Sequence, residues 1–338
     1  MKQEMKHTTR AIFVVLLILA VLTGCNRSKG GGAGGRAAAA PGSTADGRTA
    51  GGSAGAVNRI ISTAPSNTEI IAGLGLADRI VAADKYSLEL PELKRRGDNG
   101  LRDAAEIDFF YPDPEAIISL DPDMIITSEH NVYGAGDDPF RLLKEMGITV
   151  VYLPTSNSIA GIYRDIETIA TVLGVTERGS ELVRNMKEQI DSIAAIGNSI
   201  AVTKNSNTAK KSVYMEISPS PNMVTVGRET FLNEMIELIG AQNIFADKTG
   251  WLAPGVEAIL ERDPDVILTN VNFIDDPVGE IKGRDGFASL GAVREGAVYT
   301  IDTDSSSRPS QHIILALEQM ARAVYPEYYA CEAGAGSR

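Results

Sequence analysis

The chain has 338 residues, of which 43% are hydrophobic and 22% are charged, a composition typical of a globular protein with room for two domains. Its formal net charge of −12 argues against a nucleic-acid partner, because phosphates are bound by Lys and Arg. The same acidity is also explained by solubility alone.

The first 24 residues have the pattern of an export signal. A basic segment precedes an apolar run at 11–23 that is short for a membrane span. The run ends in Leu-Thr-Gly-Cys, which resembles a bacterial lipobox, where cleavage precedes the Cys and the Cys then receives lipid. We therefore predict a signal peptide at 1–24 and lipidation of Cys25, with an uncleaved anchor helix as the alternative.

Residues 25–56 are predicted to be the lipidated Cys and a flexible linker, because Gly, Ala and Ser bury too little apolar surface to fold. The folded body is therefore expected to start near Val57. The second cysteine, Cys331, lies in a polar tail at 331–338. If Cys25 carries lipid, Cys331 has no intramolecular partner, so no structural disulfide is predicted.

The first half of the folded body alternates between short apolar runs and helical periodicity, which predicts a mostly parallel α/β sheet. Residues 85–111 are polar and are predicted to be irregular. The predicted strands cover 59–63, 79–84, 124–128 and 148–154, and the predicted helices follow Pro65 and Glu115 and cover 139–146 and 158–173.

One phrase occurs twice in this chain. Residues 115–127 read EAIISLDPDMIIT and residues 257–269 read EAILERDPDVILT, an offset of 142 residues. Each copy combines a Glu that opens a short helix, an Asp-Pro-Asp turn and an apolar run, which predicts a helix leading into a buried strand. A solenoid would repeat every few tens of residues, so a single recurrence at this distance predicts two similar lobes.

A segment at 176–200 lies between the two copies and has apolar residues at helical spacing without proline. A helix of about 20 residues spans about 30 Å, which is enough to connect two lobes. Beyond this segment the plan of the first half is repeated, with a loop expected at 219–227. The predicted strands cover 212–218, 266–270 and 297–302, and the predicted helices follow Glu257 and cover 230–240 and 313–325.

The sequence lacks motifs for catalysis and for a resident metal. The histidines are His7, His130 and His312, so no pair has the spacing of metal ligands. No phosphate-binding, dinucleotide-binding or nucleophile-elbow motif is present, and the Asp-Pro-Asp pairs occupy turn positions. We therefore expect a protein that is not an enzyme and that has no cofactor or metal of its own.

The marks of a known family follow one another along residues 57–328. They are RIISTAPSNTEIIAGLGLADRIVAADKYS, EAIISLDPDMIIT, TVGRETFLNEMIELIGAQNIFADKTGW, EAILERDPDVILT and SRPSQHIILALEQMA. In order and spacing they resemble the substrate-binding lipoproteins of bacterial ABC importers that carry iron–siderophore, haem or cobalamin. The resemblance implies an α/β fold like that of class III periplasmic binding proteins, with two Rossmann-like lobes and mostly parallel sheets. The expected parts are an N-terminal lobe at 57–175, a single long helix at 176–200 and a C-terminal lobe at 201–330.

In that family the ligand lies in the cleft between the lobes, and one Glu from each lobe docks into arginine pockets of the membrane permease. By motif position these residues are Glu115 and Glu257. Two carboxylates on rigid helix starts can each meet a guanidinium group. Alternatively, each Glu only stabilises the dipole of its own helix.

The resemblance also implies a set of ligand-binding residues. Tyr86 follows the second predicted strand, and Asp304 and Arg308 lie in a loop of the C-terminal lobe. Phe109 and Trp251 each stand six residues before one of the repeated glutamates. Aromatic faces suit a planar macrocycle or a catecholate, and Arg suits carboxylate groups. The alternatives are core packing for Phe109 and Tyr86. For Asp304 with Arg308 the alternative is a surface ion pair.

The predicted function is the non-catalytic capture of an iron chelate or cobalamin and its delivery to an ABC permease and its ATPase. We expect an exported monomer, lipid-anchored to the cell membrane and facing the periplasm or the cell exterior. Siderophore, haem and cobalamin all stay open; Ser305–Ser307 stand where cobalamin binders can carry aromatics, and Tyr86 suits either a haem-ligand or a lining role. Other candidates are a manganese or zinc receptor, a chelate-sensing or adhesion lipoprotein without transport, and an exported hydrolase or oxidoreductase.

Overall fold

The computed structural model describes residues 57–98, 104–108, 111–129, 138–203 and 210–329. The predicted signal peptide, the lipidation site Cys25, the linker, the tail and Phe109 lie outside these residues. No helix in the described part of the chain is both long and apolar enough to cross a membrane.

The N-terminal lobe is a parallel sheet with helices packed on it. Its strands are β1 Ile60–Ser62, β2 Ile80–Ala83, β3 Ala105–Glu106, β4 Met124–Ser128 and β5 Thr149–Leu153, and its helices are α1 Pro65–Gly73, α2 Pro91–Asp98, α3 Pro114–Ser119, α4 Arg141–Glu145 and α5 Ile159–Val172. The strand order is β3-β2-β1-β4-β5. The central strands β1 and β4 are almost entirely buried, as expected when helices cover both faces of a parallel sheet.

A long helix, α6 Thr176–Thr203, connects this lobe to a second one. The C-terminal lobe contains β6 Ser212–Glu216, β7 Thr225–Val226, β8 Gln242–Asn243, β9 Trp251–Leu252, β10 Val266–Thr269 and β11 Val298–Thr300, with α7 Phe231–Leu238, α8 Val256–Arg262, α9 Pro277–Lys282, α10 Gly291–Arg294, α11 Thr303–Ser307, α12 Ile313–Val324 and α13 Pro326–Tyr329. Four strands form a parallel sheet in the order β11-β10-β6-β8, and β7 pairs with β9 in an antiparallel ribbon. Two parallel α/β sheets joined by one long helix confirm the predicted fold class.

The repeated phrase occupies equivalent places in the two sheets. Its strands, β4 and β10, pair in parallel with the first strand of their own lobe, β1 and β6. The first Asp of each Asp-Pro-Asp turn adopts a left-handed backbone, with φ of 48° at Asp121 and 38° at Asp263. This conformation ends the helix, and Asp tolerates it better than most residues.

The second Asp of each turn secures the neighbouring strand. The Asp123 carboxylate accepts hydrogen bonds from the backbone N–H of Asn58 and Arg59, at 2.7 and 2.9 Å. The Asp265 carboxylate accepts the backbone N–H and the hydroxyl of Ser212, at 2.7 and 2.8 Å. The aspartates of the repeat therefore act as turn and strand anchors.

Helix α6 packs against α5 of the first lobe and against α7 and α12 of the second. It starts at the predicted residue and continues three residues beyond the predicted end at 200. At Gly197 the helix nearly touches the end of α7, because a Cβ there would lie 2.1 Å from the Leu238 carbonyl oxygen. Such an approach is open only to glycine.

The largest hydrophobic cluster runs through both lobes. It contains Ile71 of α1, Met186 and Ile190 of α6, Met235 of α7 and Leu317 of α12, all buried. Two smaller clusters lie on the outer faces of the sheets, one in each lobe. The lobes therefore share a hydrophobic core along α6, and the opposite face of each sheet is covered by a separate cluster of its own lobe.

Two segments differ from the sequence prediction. Residues 85–111 were expected to be irregular, but they contain α2 and the edge strand β3. Pro91 begins α2, a position where its missing N–H costs nothing, while the polar residues that follow hide the helical pattern. The expected loop at 219–227 contains β7, whose two residues are too few to give a detectable period.

Candidate functional site

The carboxyl ends of the parallel strands carry many of the buried polar side chains, and in open α/β sheets ligands bind at this edge. In the C-terminal lobe this edge forms a cavity of about 580 Å³. We call it the C-terminal cavity; it is lined by Val271, Asn272, Ile274, Asp275, Pro277, Thr300, Ile301, Asp302, Thr303, Asp304 and Gln319. Its walls come from the segments that follow β10 and β11, including the start of α11, and from Gln319 of α12.

Hydrogen bonds hold these two segments together. The Thr303 hydroxyl donates to the carbonyl oxygen of Asn270 at 2.5 Å, and the Asn270 amide donates to the hydroxyl of Ser306 at 3.0 Å. The Asp302 side chain caps α11 by accepting the backbone N–H of Ser305 at 2.8 Å. Hydrogen bonds within the protein thus hold the cavity wall in place.

Arg308 lies just behind this wall and bonds to both lobes. One terminal nitrogen of its guanidinium is 2.8 Å from Glu69 Oε1 and the other is 2.8 Å from Asp304 Oδ1. The Ser310 hydroxyl donates to the second oxygen of Glu69. Burial raises the pKa of the Glu69 carboxyl, while the hydrogen bonds from Ser310 and Arg308 oppose that rise.

Of the predicted binding residues, Asp304 and Arg308 are therefore in direct contact, as in the ion-pair alternative. The Arg308 side chain is only 16% exposed, so the pair is not a surface one on the arginine side. Its partner in the other lobe, Glu69, was not predicted from the sequence. A signal was available, because Glu69 is the one charged residue in the otherwise apolar and small-residue helix α1.

Tyr86 is half-buried and lies in the turn after β2, at the carboxyl edge of the N-terminal sheet. The turn is shaped by the fully buried Asp84, whose carboxylate accepts the backbone N–H of Tyr86 at 2.9 Å and of Ser87 at 3.1 Å. Burial raises the pKa of the Asp84 carboxyl, and its hydrogen bonds to Ser87 lower it. The Ser87 hydroxyl is also hydrogen-bonded to the Thr68 hydroxyl, at 2.7 Å, and this bond connects the turn to α1.

Trp251 is half-buried and begins β9, where it pairs with Val226 of β7. It also packs against the core cluster shared by the lobes. Trp251 therefore belongs to the C-terminal lobe and Tyr86 to the N-terminal lobe. Their binding roles, like that of Phe109, stay predictions.

The repeated glutamates are exposed in the first turns of equivalent helices. Glu115 is in α3, which Asp113 caps by accepting the backbone N–H of Glu115 at 3.0 Å. Glu257 is in α8. The N-cap residue of this helix is Gly255, which has no side chain that could accept the first helical N–H groups. A carboxylate in the first turn stabilises its helix, and the docking role of both glutamates stays a prediction.

Two further polar contacts add to the frame around the site. The Glu234 carboxylate of α7 accepts the backbone N–H of Ile159 at 2.8 Å, which joins the C-terminal lobe to the start of α5. Arg284 is buried between Glu216 and Glu280, with one nitrogen 2.8 Å from Glu216. No group of three or more His, Cys, Asp or Glu among the described residues is arranged to hold a metal ion.

Comparisons with known proteins agree with this geometry. Residues 60–305 match the family model described as "Periplasmic binding protein". The uncharacterised ABC transporter substrate-binding lipoprotein YvrC of Bacillus subtilis (strain 168) is 33% identical over 274 residues, which cover 80% of this chain and 81% of YvrC. A vitamin B12-binding protein of Vibrio parahaemolyticus is 25% identical over 268 residues, 77% of this chain and 87% of that protein.

A solved structure of a similar protein has the same fold. The crystal structure of a possible iron-binding (periplasmic solute-binding) protein from Staphylococcus epidermidis ATCC 12228 superposes with a TM-score of 0.67. The two chains are 30% identical, and the match covers 80% of this chain and 99% of the other.

Proposed function

This chain belongs to the periplasmic binding protein family, and we propose that it captures an iron chelate or cobalamin outside the cytoplasm and delivers it to an ABC permease. Its fold is that of the class III members, and periplasmic binding proteins bind solutes without catalysing a reaction. A lipid on Cys25 and the linker after it would hold the receptor near the membrane, as the lipoprotein relative YvrC suggests.

The observation that carries the proposal is the C-terminal cavity at the carboxyl edge of a parallel sheet. A cavity of about 580 Å³ falls within the range of small-molecule sites. It is bordered by α11, which contains Asp304, and Arg308 at the end of α11 connects this helix to α1 of the other lobe. The cavity is lined by residues of the C-terminal lobe, and the proposal places its ligand between this edge and the carboxyl edge of the N-terminal sheet, where Tyr86 lies.

Delivery is the second part of the proposal. Glu115 and Glu257 open helices that lead into equivalent strands, so the molecule presents one exposed carboxylate from each lobe on equivalent elements. Each carboxylate can accept two hydrogen bonds from a guanidinium group of the permease.

The test is direct binding to the full-length chain purified in detergent. Cyanocobalamin, haemin, ferric hydroxamates and ferric catecholates would be titrated, with Mn²⁺ and Zn²⁺ as separate arms. Trp251 is the single Trp of the chain, so its fluorescence reports on one place, and Trp251→Phe is the matched control. We expect one chelate to bind and to quench this fluorescence. Binding of a free divalent metal with no chelate would overturn the proposal.

A further inference from the structure

The charges that line the C-terminal cavity have one sign. Among the described residues, the ionisable groups of the lining are Asp275, Asp302 and Asp304, all exposed to solvent, and no Lys or Arg of this part of the chain belongs to it. Its other polar groups are amides and hydroxyls, contributed by Asn272, Thr300, Thr303 and Gln319. The cavity therefore offers hydrogen-bond acceptors and negative charge to its ligand.

Arg308 does not reverse this sign. Its guanidinium is placed between Glu69 and Asp304, at 2.8 Å from an oxygen of each, so two carboxylates face one cation. Glu69 is only 4% exposed, and turning Arg308 toward a ligand would leave that buried carboxylate without its ionic partner. Arg308 is therefore occupied by the protein and is not offered to an anionic ligand.

We propose that this cavity selects a chelate without net negative charge that presents N–H donors, such as an amide-bearing corrinoid or a cationic hydroxamate. A polyanionic chelate, such as a ferric tricatecholate, is repelled by the net negative charge that remains after Arg308 offsets part of it, at distances where water screens only partly. The inference rests on the proposed function and refines it, because it chooses among the chelates by their charge.

The experiment is an equilibrium titration of the full-length chain in a nonionic detergent at low and at physiological salt. The probes are cyanocobalamin, ferrioxamine B as a cationic trihydroxamate, and ferric enterobactin as an anionic tricatecholate. We expect a neutral or cationic probe to bind at least about 10-fold more tightly than ferric enterobactin. The ratio of the two affinities should be smaller at physiological salt than at low salt, because salt screens the electrostatic repulsion.

Substitutions locate the effect. Asp275→Asn keeps the size of the side chain and removes one charge from the lining, so we expect the affinity for ferric enterobactin to rise about 3- to 10-fold relative to the affinity for cyanocobalamin. Asp191→Asn, on the exposed face of α6 outside the lining, is the matched control and should change neither affinity.

The outcomes separate the two proposals. If ferric enterobactin binds as tightly as the other probes, and Asp275→Asn leaves it unchanged, the charge inference is overturned and the proposed function stands. If no chelate of any charge binds, the proposed function itself fails, and the charge inference fails with it.

Discussion

Arg308 and Glu69 stand 239 residues apart in the chain and form an ion pair of 2.8 Å that joins the C-terminal lobe to the N-terminal lobe. The carboxylate is buried, and the Ser310 hydroxyl and Arg308 satisfy its two oxygens. The Gln311 side chain adds a bond to the Glu69 carbonyl oxygen at 2.8 Å. One short stretch after α11 thus holds the first turns of α1.

Breaking this pair is expected to cost far more than breaking a surface pair. Arg308→Ala leaves the buried Glu69 carboxylate with Ser310 as its remaining side-chain partner, so the free energy of unfolding should fall by about 3 kcal/mol. Arg322→Ala, which removes an exposed pair with Glu318, should cost less than about 1 kcal/mol. Urea unfolding of both variants measures the difference.

A double variant tests the physical reason. Glu69→Gln combined with Arg308→Met removes both charges, so it should be less destabilised than Arg308→Ala alone. Equal losses for Arg308→Ala and the Arg322→Ala control would show that the cross-lobe pair contributes nothing special.

Stability should depend on pH through Asp165. This side chain is buried in α5 and accepts the hydroxyl of Ser156 at 2.5 Å, and burial raises the pKa of its carboxyl to about 6. The folded chain therefore keeps this proton to a higher pH than the unfolded chain, whose pKa is about 4. The stability contribution is present below about pH 4 and is lost as the pH rises to about 6.

Asp165→Asn removes this titration and keeps an acceptor for Ser156. Relative to this variant, the parent chain should lose up to about 3 kcal/mol of unfolding free energy between pH 4 and pH 7. Urea unfolding at four pH values measures the change, with Asp191→Asn as an exposed control. A pH-independent difference between parent and Asp165→Asn would contradict the prediction.

The contact of α6 with the end of α7 should be sensitive to a single methyl group. Gly197→Ala places a Cβ 2.1 Å from the Leu238 carbonyl oxygen, so backbone must move and the free energy of unfolding should fall by about 2 kcal/mol or more. Helix propensity by itself would make the change from glycine to alanine stabilising by about 1 kcal/mol. Asn198→Ala, at the exposed neighbouring position, should therefore be neutral or slightly stabilising. A stabilised Gly197→Ala would contradict the close approach.

Docking and capture should separate by mutation. The double variant Glu115→Ala with Glu257→Ala removes two exposed carboxylates from helix starts, so ligand affinity should stay unchanged and uptake should be abolished. The stability loss should be only a few tenths of a kcal/mol per helix. Uptake of the labelled chelate by cells measures the effect, with Glu181→Ala and Glu188→Ala on the exposed face of α6 as the control. Unimpaired uptake would remove both glutamates from docking.

The repeat made much of the fold predictable. Asp121 and Asp263 mark where two helices end, and the short apolar runs behind them indicated buried strands because they lack polar alternation. The spacing without proline predicted α6 to within three residues at its end. These are local patterns, and local patterns are what a single sequence displays.

The site was harder to predict from the sequence, because it depends on contacts between segments that are distant in the chain. Arg308 was recognised as important, but its partner Glu69 lies in the other lobe, and no local period connects the two. The ion-pair trio of Arg284, Glu216 and Glu280 was missed for the same reason. The cavity lining also depends on how two loops meet, which hydrogen bonds from Asn270 and Thr303 decide.

The core that passes from lobe to lobe along α6 has a consequence for how the protein melts. Since Ile71, Met186 and Leu317 belong to one cluster, loosening either lobe exposes apolar surface of the other. Heating should therefore give one cooperative calorimetric transition in place of two. A molecule captured in the cleft then raises a single melting temperature, so thermal shift reports capture wherever in the cleft it occurs.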